Sequence, residues 1–370
     1  MRILLPVSPD QQHANGEIDI ASLHAQDSTG LLDRIDRVVV WDIPLTTPFR
    51  GITRRDGVLL HGPGGWGEVA PFWDYGSEAS APWLASGLSQ ALGNSVLPRY
   101  RETVSVNVTV PEVGAEDAAE LVRVSGARTA KVKVSGSSDK RSSDLERLEA
   151  VRSALGRSGK VRIDVNGAWD LDAARENLPL MDRAAGGLEY VEQPCATVHD
   201  LADLRRTVDV PIAADESIRL SANPMEIVHR RAADVAILKV APLGGVHRAL
   251  DMAERLGLPA VVSSALDTSV GIMTGATLAF SLPSLSHACG LGTLRLLSQD
   301  VADPSVLPSN GSLRLDAATP VSERLLSEVK AGPYLTRHWQ TRLLHLAGAL
   351  HARRQREARD PSRAVAGLPL

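Results

Sequence analysis

Val161-Arg162-Ile163-Asp164-Val165-Asn166-Gly167 reads as a short β-branched strand that carries one carboxylate to its carboxyl end and then turns through Asn-Gly. The same phrase recurs on both sides of it. Upstream, Val104 to Val110 is followed by Thr129 to Val134, which carries Lys131 and Lys133 around Val132. Downstream come Leu188 to Gln193 with Glu192, Ile212 to Asp215, Val235 to Val240 with Lys239, Ala260 to Ser264, and a weaker eighth strand at His287 to Gly290. Amphipathic segments alternate with these strands, among them Ala115 to Val124, Asp144 to Leu155, Leu171 to Ala184 and Gly245 to Leu256. Strand, helix, strand at this spacing means parallel pairing through right-handed crossovers, and about eight such units close into a (β/α)₈-type barrel. An open doubly wound sheet would use fewer strands, and no GxGxxG opens a helix in this chain.

The chain outside this repeat is less regular. Residues 1 to about 34 hold no sustained period, whereas Arg37 to Leu60 gives hairpin signals and Ala79 to Leu92 reads as a helix with Pro82 near its start. Tyr334 to Arg359 is helical in pattern and basic at its end, which fits a solvated amphipathic helix better than a site for an anionic partner.

Composition excludes several classes. At 370 residues, 44% hydrophobic and 23% charged, the chain is globular and not disordered or fibrous. A net charge of −4 argues against coating nucleic acid. Two cysteines without CxxC spacing, Cys195 and Cys289, make neither a disulfide framework nor a cysteine zinc site, so a reducing cytoplasm is expected. Met1 to Val7 lacks the apolar core of a signal peptide. Thr268 to Leu294 has no charged residue, but Pro283, His287 and its Ser and Gly residues speak for a buried helix and strand and not a membrane span.

In a parallel barrel, chemistry sits at the carboxyl ends of the strands. Strand alternation turns Lys131 and Lys133 to one face, toward the barrel interior. Asp164, Glu192 and Asp215 end three consecutive strands, an oxygen-rich set of the kind that holds Mg²⁺ or another hard divalent cation. Lysines beside such a cluster gain a reason to be buried, because a desolvated amine near another cation acts as a base near neutral pH. Each residue alone would serve equally well in a structural ion pair; the ordered set is what points to catalysis.

The series Lys131-Val132-Lys133, Asp164-Val165-Asn166, Glu192-Gln193-Pro194, Asp215-Glu216-Ser217 and Lys239 resembles the muconate-lactonizing branch of the enolase superfamily. Pro48 to Thr53, Gly65 to Glu68, Pro71-Phe72 and Ser263 to Gly271 make the chain similar, within that branch, to the actinobacterial o-succinylbenzoate synthases, from about Arg37 to about Leu335. The resemblance implies a discontinuous α+β capping domain over the barrel mouth. It divides the chain into an extension expected to be flexible (1–34), a first capping segment (35–100), the barrel (101–298), a second capping segment (299–335) and a basic helical tail (336–370).

The resemblance also implies a reaction: a Mg²⁺-dependent syn-dehydration of a succinyl-bearing hydroxycyclohexadiene carboxylate in menaquinone biosynthesis, through an ene-diolate, with Mn²⁺ as a substitute metal. Asp164, Glu192 and Asp215 would be the ligands, Lys133 the base and then the acid, Lys131 its charged neighbour, and Lys239 an electrostatic stabiliser. Arg50 is expected at the substrate, against a surface salt bridge as its other role. Ser263 and Ser264 are expected on the succinyl carboxylate, against simple backbone capping. Racemisation of an N-succinylamino acid or epimerisation of a dipeptide is the rival chemistry, with Lys133 and Lys239 working on opposite faces; a non-catalytic binding subunit is the rival of another class. The partner expected is a small carboxylate substrate, and the oligomeric state is not encoded in these patterns.

Overall fold

A computed structural model describes residues 15–314 and 320–359. In chain order the elements are β1 (Glu17–Ile18), α1 (Ile20–Gln26), β2 (Arg37–Phe49), β3 (Ile52–Gly62), β4 (Gly65–Val69), α2 (Ser77–Ala91), β5 (Thr103–Ser105), β6 (Val108–Val110), α3 (Ala115–Ser125), β7 (Thr129–Lys133) and α4 (Arg141–Leu155). There follow β8 (Lys160–Asp164), α5 (Leu171–Ala184), β9 (Leu188–Glu192), α6 (Val198–Arg205), β10 (Ile212–Ala214), α7 (Glu216–Arg219), α8 (Glu226–Arg230), β11 (Val235–Lys239), α9 (Val240–Leu243), α10 (Val246–Leu256), β12 (Ala260–Ser263) and α11 (Ser269–Ser281). The described chain ends with β13 (Ser312–Arg314), α12 (Glu323–Glu328) and α13 (Pro333–Arg359).

Strands β6 to β12 form one parallel sheet in sequence order, as the repeat predicts. Its two edges are joined by the segment expected to be the eighth strand. That segment is reduced to two bridge residues, with Cys289 beside Val106 and Gly290 beside Ser263. The bonds Asn107 N–H to Cys289 O (2.9 Å) and Gly290 N–H to Val262 O (2.8 Å) complete the ring. Gly290 leaves no room for more, since a Cβ there would stand 2.5 Å from Ser263 Oγ. The first expected strand, Val104 to Val110, is split, because β5 turns out of the barrel to pair antiparallel with β13.

The capping sheet, β1-β2-β3-β4, is antiparallel. Its long hairpin ends in the two-residue turn Arg50-Gly51, both at positive φ (52° and 75°), the twist that suits tightly paired strands. Glycine takes that conformation without cost, and Arg50 is held in it.

Two terminal expectations are corrected. The segment from Glu17 to Leu32 is built in: β1 pairs with β2, Asp19 caps α1 through Ala21 N–H and Ser22 N–H, and Leu23 and Leu32 are buried. Residues 1–14 and 360–370 lie outside the described residues. Helix α13 is a docked element and not a tail, burying Trp339, Leu343, Leu346 and Leu350 at helical spacing against the core that also takes Leu23 and Trp83. Two arginines of its basic end are paired within the chain, Arg356 with Glu78 (2.9 Å) and Arg353 with Glu357 (3.0 Å). Helix α11 is buried along most of its length, and among the described residues no helix is long and apolar enough to cross a membrane.

Candidate active site

The barrel strands end at one mouth, and their parallel register fixes what meets there. Lys133 lies opposite Asp164, Asp164 opposite Glu192, and Lys239 opposite Ser263. Lys131 Nζ donates to Asp164 Oδ2 (2.9 Å) and Glu192 Oε1 (2.8 Å). Lys133 Nζ donates to Asp164 Oδ2 and to Asn166 Oδ1, each at 2.6 Å. Lys239 Nζ donates to Asp215 Oδ2 at 2.6 Å. All three carboxylates are buried.

Burial pushes the Lys133 amine below its ordinary value; Asp164 opposes this, and the charge of Lys131 adds to it. Burial also works against a charged Lys131, but Asp164 and Glu192 outweigh it and hold that ammonium well above its usual range. Two lysines of one strand are therefore driven apart, one toward the free amine and one toward the permanent cation. Burial and the neighbouring Asp164 push Glu192 up to about 7, with Asp215 adding to the effect. Burial pushes Asp164 and Asp215 up, but both lie below the carboxylate range because Lys131 and Lys133 at the first, and Lys239 and Arg219 at the second, outweigh it.

Lys131, Lys133, Asp164 and Lys239 line one pocket, to which the cap contributes Phe49, Arg50 and Phe72. The Phe49 ring lies 5.4 Å from Lys133 Nζ. Arg50 lines this pocket, donates to Tyr75 Oη (2.6 Å) and pairs with Asp74 (3.5 Å), so the ion pair weighed against a substrate role is present. Ser263 and Ser264 line it too, yet both hydroxyls face the Gly290 carbonyl, at 3.4 and 2.7 Å, and Ser264 also meets Thr293 Oγ1 at 2.7 Å.

The donor set suits a hard divalent cation: carboxylate oxygens from consecutive strands, without sulfur or imidazole. Among the described residues no three acidic, His or Cys side chains are grouped tightly enough to hold an ion, because the ammonium groups stand among the carboxylates. Three carboxylates face three lysines, so a divalent cation entering with a dicarboxylate substrate would leave the net charge of the site unchanged.

Further residues contribute, of which only Asn166, next to a carboxylate of the set, is readable from sequence as shaping the site. Asn166, at φ 52°, accepts from Lys133 and donates Nδ2 to Glu216 Oε1 (3.2 Å). Gln193, at φ 41°, ties two strand ends together, its Oε1 accepting from Asp215 N–H (2.9 Å) and Ser217 N–H (3.1 Å). Arg55 and Glu68 reach down from the cap: the Arg55 guanidinium donates to Leu266 O (3.3 Å), and Glu68 accepts the N–H groups of Thr268 and Gly271 at the start of α11. For Gln193 the available signal is Gln-Pro directly after Glu192.

Carboxylates on successive strand ends, interleaved with inward lysines beneath an antiparallel cap, are the arrangement expected of an enolase-superfamily enzyme. Residues 40–91 match the enolase N-terminal domain-like family and residues 114–320 the enolase C-terminal domain-like family. The chain is 54% identical over 301 residues to an o-succinylbenzoate synthase of Thermobifida fusca, covering 81% of this chain and 93% of that one, and 47% identical over 306 residues to one of Mycobacterium bovis, covering 82% and 91%. It belongs to the o-succinylbenzoate synthase family, whose members are carbon–oxygen lyases. Among solved structures, the L-Ala-D/L-Glu epimerase of Bacillus subtilis superposes with a TM-score of 0.64 at 25% identity, covering 81% of this chain and 98% of that one. The muconate lactonizing enzyme of Pseudomonas putida superposes with 0.65 at 20%, covering 80% and 99%. Enzymes of this superfamily generally use a divalent metal.

Proposed function

We propose that the chain is a cytoplasmic o-succinylbenzoate synthase, removing water from a succinyl-bearing hydroxycyclohexadiene carboxylate to give the aromatic product on the route to menaquinone. The observation that carries this, given the family, is that Lys133 and Lys239 line one cavity together with Asp164 of the carboxylate set. Lys133 takes the proton α to the ring carboxylate and returns it to the departing hydroxyl on the same face, so a single amine balances the proton. Lys131, fixed between Asp164 and Glu192, keeps a positive charge next to that amine. Lys239 stabilises the anion that forms between the two steps. Asp164, Glu192 and Asp215 would hold Mg²⁺, or Mn²⁺ in its place, which supplies charge neutralisation at the substrate carboxylate.

Arg50, Phe49 and Phe72 exclude water from the cavity and contact the substrate. Ser263, whose bond to Gly290 is the longer of the two serine bonds, is the donor to the succinyl carboxylate; Ser264 is its support. The barrel is assigned to residues 101–298, with cap segments 35–100 and 299–335 to which β1, α1 and α13 add their packing.

The test is turnover of the cyclohexadiene substrate by the purified chain with Mg²⁺, followed as aromatic product, with and without chelator. Chelator-sensitive aromatisation is expected. Racemisation of N-succinylamino acids or epimerisation of dipeptides without aromatisation would overturn the reading in favour of the other chemistry available to Lys133 and Lys239.

A further inference from the structure

Tyr75 belongs to the cap, in the turn before α2, but its hydroxyl meets an arginine of the barrel. It accepts from Arg219 Nη1 at 2.9 Å, as well as from Arg50 Nη2 at 2.6 Å. Arg219 is nearly sealed from solvent, its side chain 3% exposed, and each edge of its guanidinium is committed. Nε donates to Asp215 Oδ1 (3.0 Å), Nη2 to Glu216 Oε1 (2.7 Å) and Nη1 to Tyr75. The other Asp215 oxygen is taken by Lys239, so the carboxylate is gripped from two sides. Glu216 also accepts from Asn166, which holds Lys133. On the cap side, Arg342 of α13 fixes the Tyr75 turn by donating to Phe72 O at 2.7 Å and Tyr75 O at 3.4 Å.

We propose that Arg219 is a positioning residue through which cap and cation site act on each other: the docked Tyr75 hydroxyl completes the guanidinium's bonding and thereby orients Asp215. The inference rests on Asp215 being a cation ligand. A planar fork is required, since one lysine ammonium has neither the reach nor the geometry to serve Asp215, Glu216 and Tyr75 together. Linkage makes the effect reciprocal, so that whatever cap docking adds to cation affinity, the cation returns as cap docking. Without the Tyr75 contact, Asp215 keeps its bond to Lys239 but loses the restraint that aims Oδ1.

The experiment measures Mn²⁺ binding to the full chain by calorimetry, without substrate, together with hydrogen exchange of residues 47–55 and 71–76 before and after the ion. Tyr75→Phe is expected to weaken Mn²⁺ binding by about fivefold or more, the lower end of site-to-site coupling, and to abolish the protection that Mn²⁺ gives these segments. Arg219→Lys is expected to do the same, and a melting curve for each variant places the measurements below its unfolding range. Parent-like Mn²⁺ affinity and parent-like protection in Tyr75→Phe would overturn the inference while leaving the cation site intact. A parent chain that binds no Mn²⁺ would instead remove the cation reading itself, and this inference with it.

Discussion

Glu68 of the cap accepts the backbone N–H of Thr268 in the barrel, 3.2 Å from each carboxylate oxygen. A cap side chain thus terminates a barrel helix. Burial, with the nearby Asp267, pushes its carboxyl up to about 8 from the ordinary 4.5.

The sign of the resulting pH dependence follows from proton counting. Between pH 4.5 and 8 the folded state keeps the Glu68 proton and the unfolded chain does not, so this group's contribution to stability falls as pH rises through that window. Glu68→Gln should flatten the decline of Tm between pH 5 and 8 relative to the parent. Parallel curves for the two proteins would show that Glu68 titrates elsewhere.

Lys131 is the only ammonium bonded to both Asp164 and Glu192 among the described residues. Lys131→Met leaves two buried carboxylates without it, at a cost of about 3–5 kcal/mol, the range for breaking a buried pair from one side. Mn²⁺ should raise the Tm of this variant by more than that of the parent. Calorimetry with and without the ion checks both statements, and an equal rise in the two proteins would contradict them.

Lys133→Ala should lower aromatisation by about 10²–10⁴-fold, the usual contribution of a positioned acid–base group. The melting temperature should stay within a few degrees of the parent. Parent-like turnover would exclude Lys133 as the base.

Trp339 is fully buried and its indole donates to Asp56 Oδ1 at 2.6 Å. Trp339→Ala should cost about 3–5 kcal/mol, the range for emptying a large aromatic site. The loss should appear first as faster hydrogen exchange in α2 and α13, because the cap core is the part unpacked.

What the sequence made legible is what local periodicity encodes. Alternation fixes the face on which Lys131 and Lys133 lie, and strand ends fix where Asp164, Glu192 and Asp215 converge. Roles that depend on distant partners were out of reach: Tyr75 is 144 positions from Arg219 in the chain, and nothing near it marks the contact. Arg219 itself was closer to readable, since it stands one helical turn beyond Asp215, the spacing at which side chains meet. The N-terminal segment gives no readable signal because its anchors, Ile18, Leu23 and Leu32, are too sparse to make a period, and they are buried in a core shared with β2, β3, α2 and, from the other end of the chain, α13.

The Arg50-Gly51 turn places Phe49 and Arg50 in the cavity from the tip of a hairpin whose own stability comes from strand pairing farther back. In the proposed reaction, then, the groups that move the proton and those that meet the substrate sit on separate elements of the chain. On that reading, a substitution at the two-residue tip alters what meets the substrate while Lys131, Lys133 and Lys239 keep their places on the barrel strands.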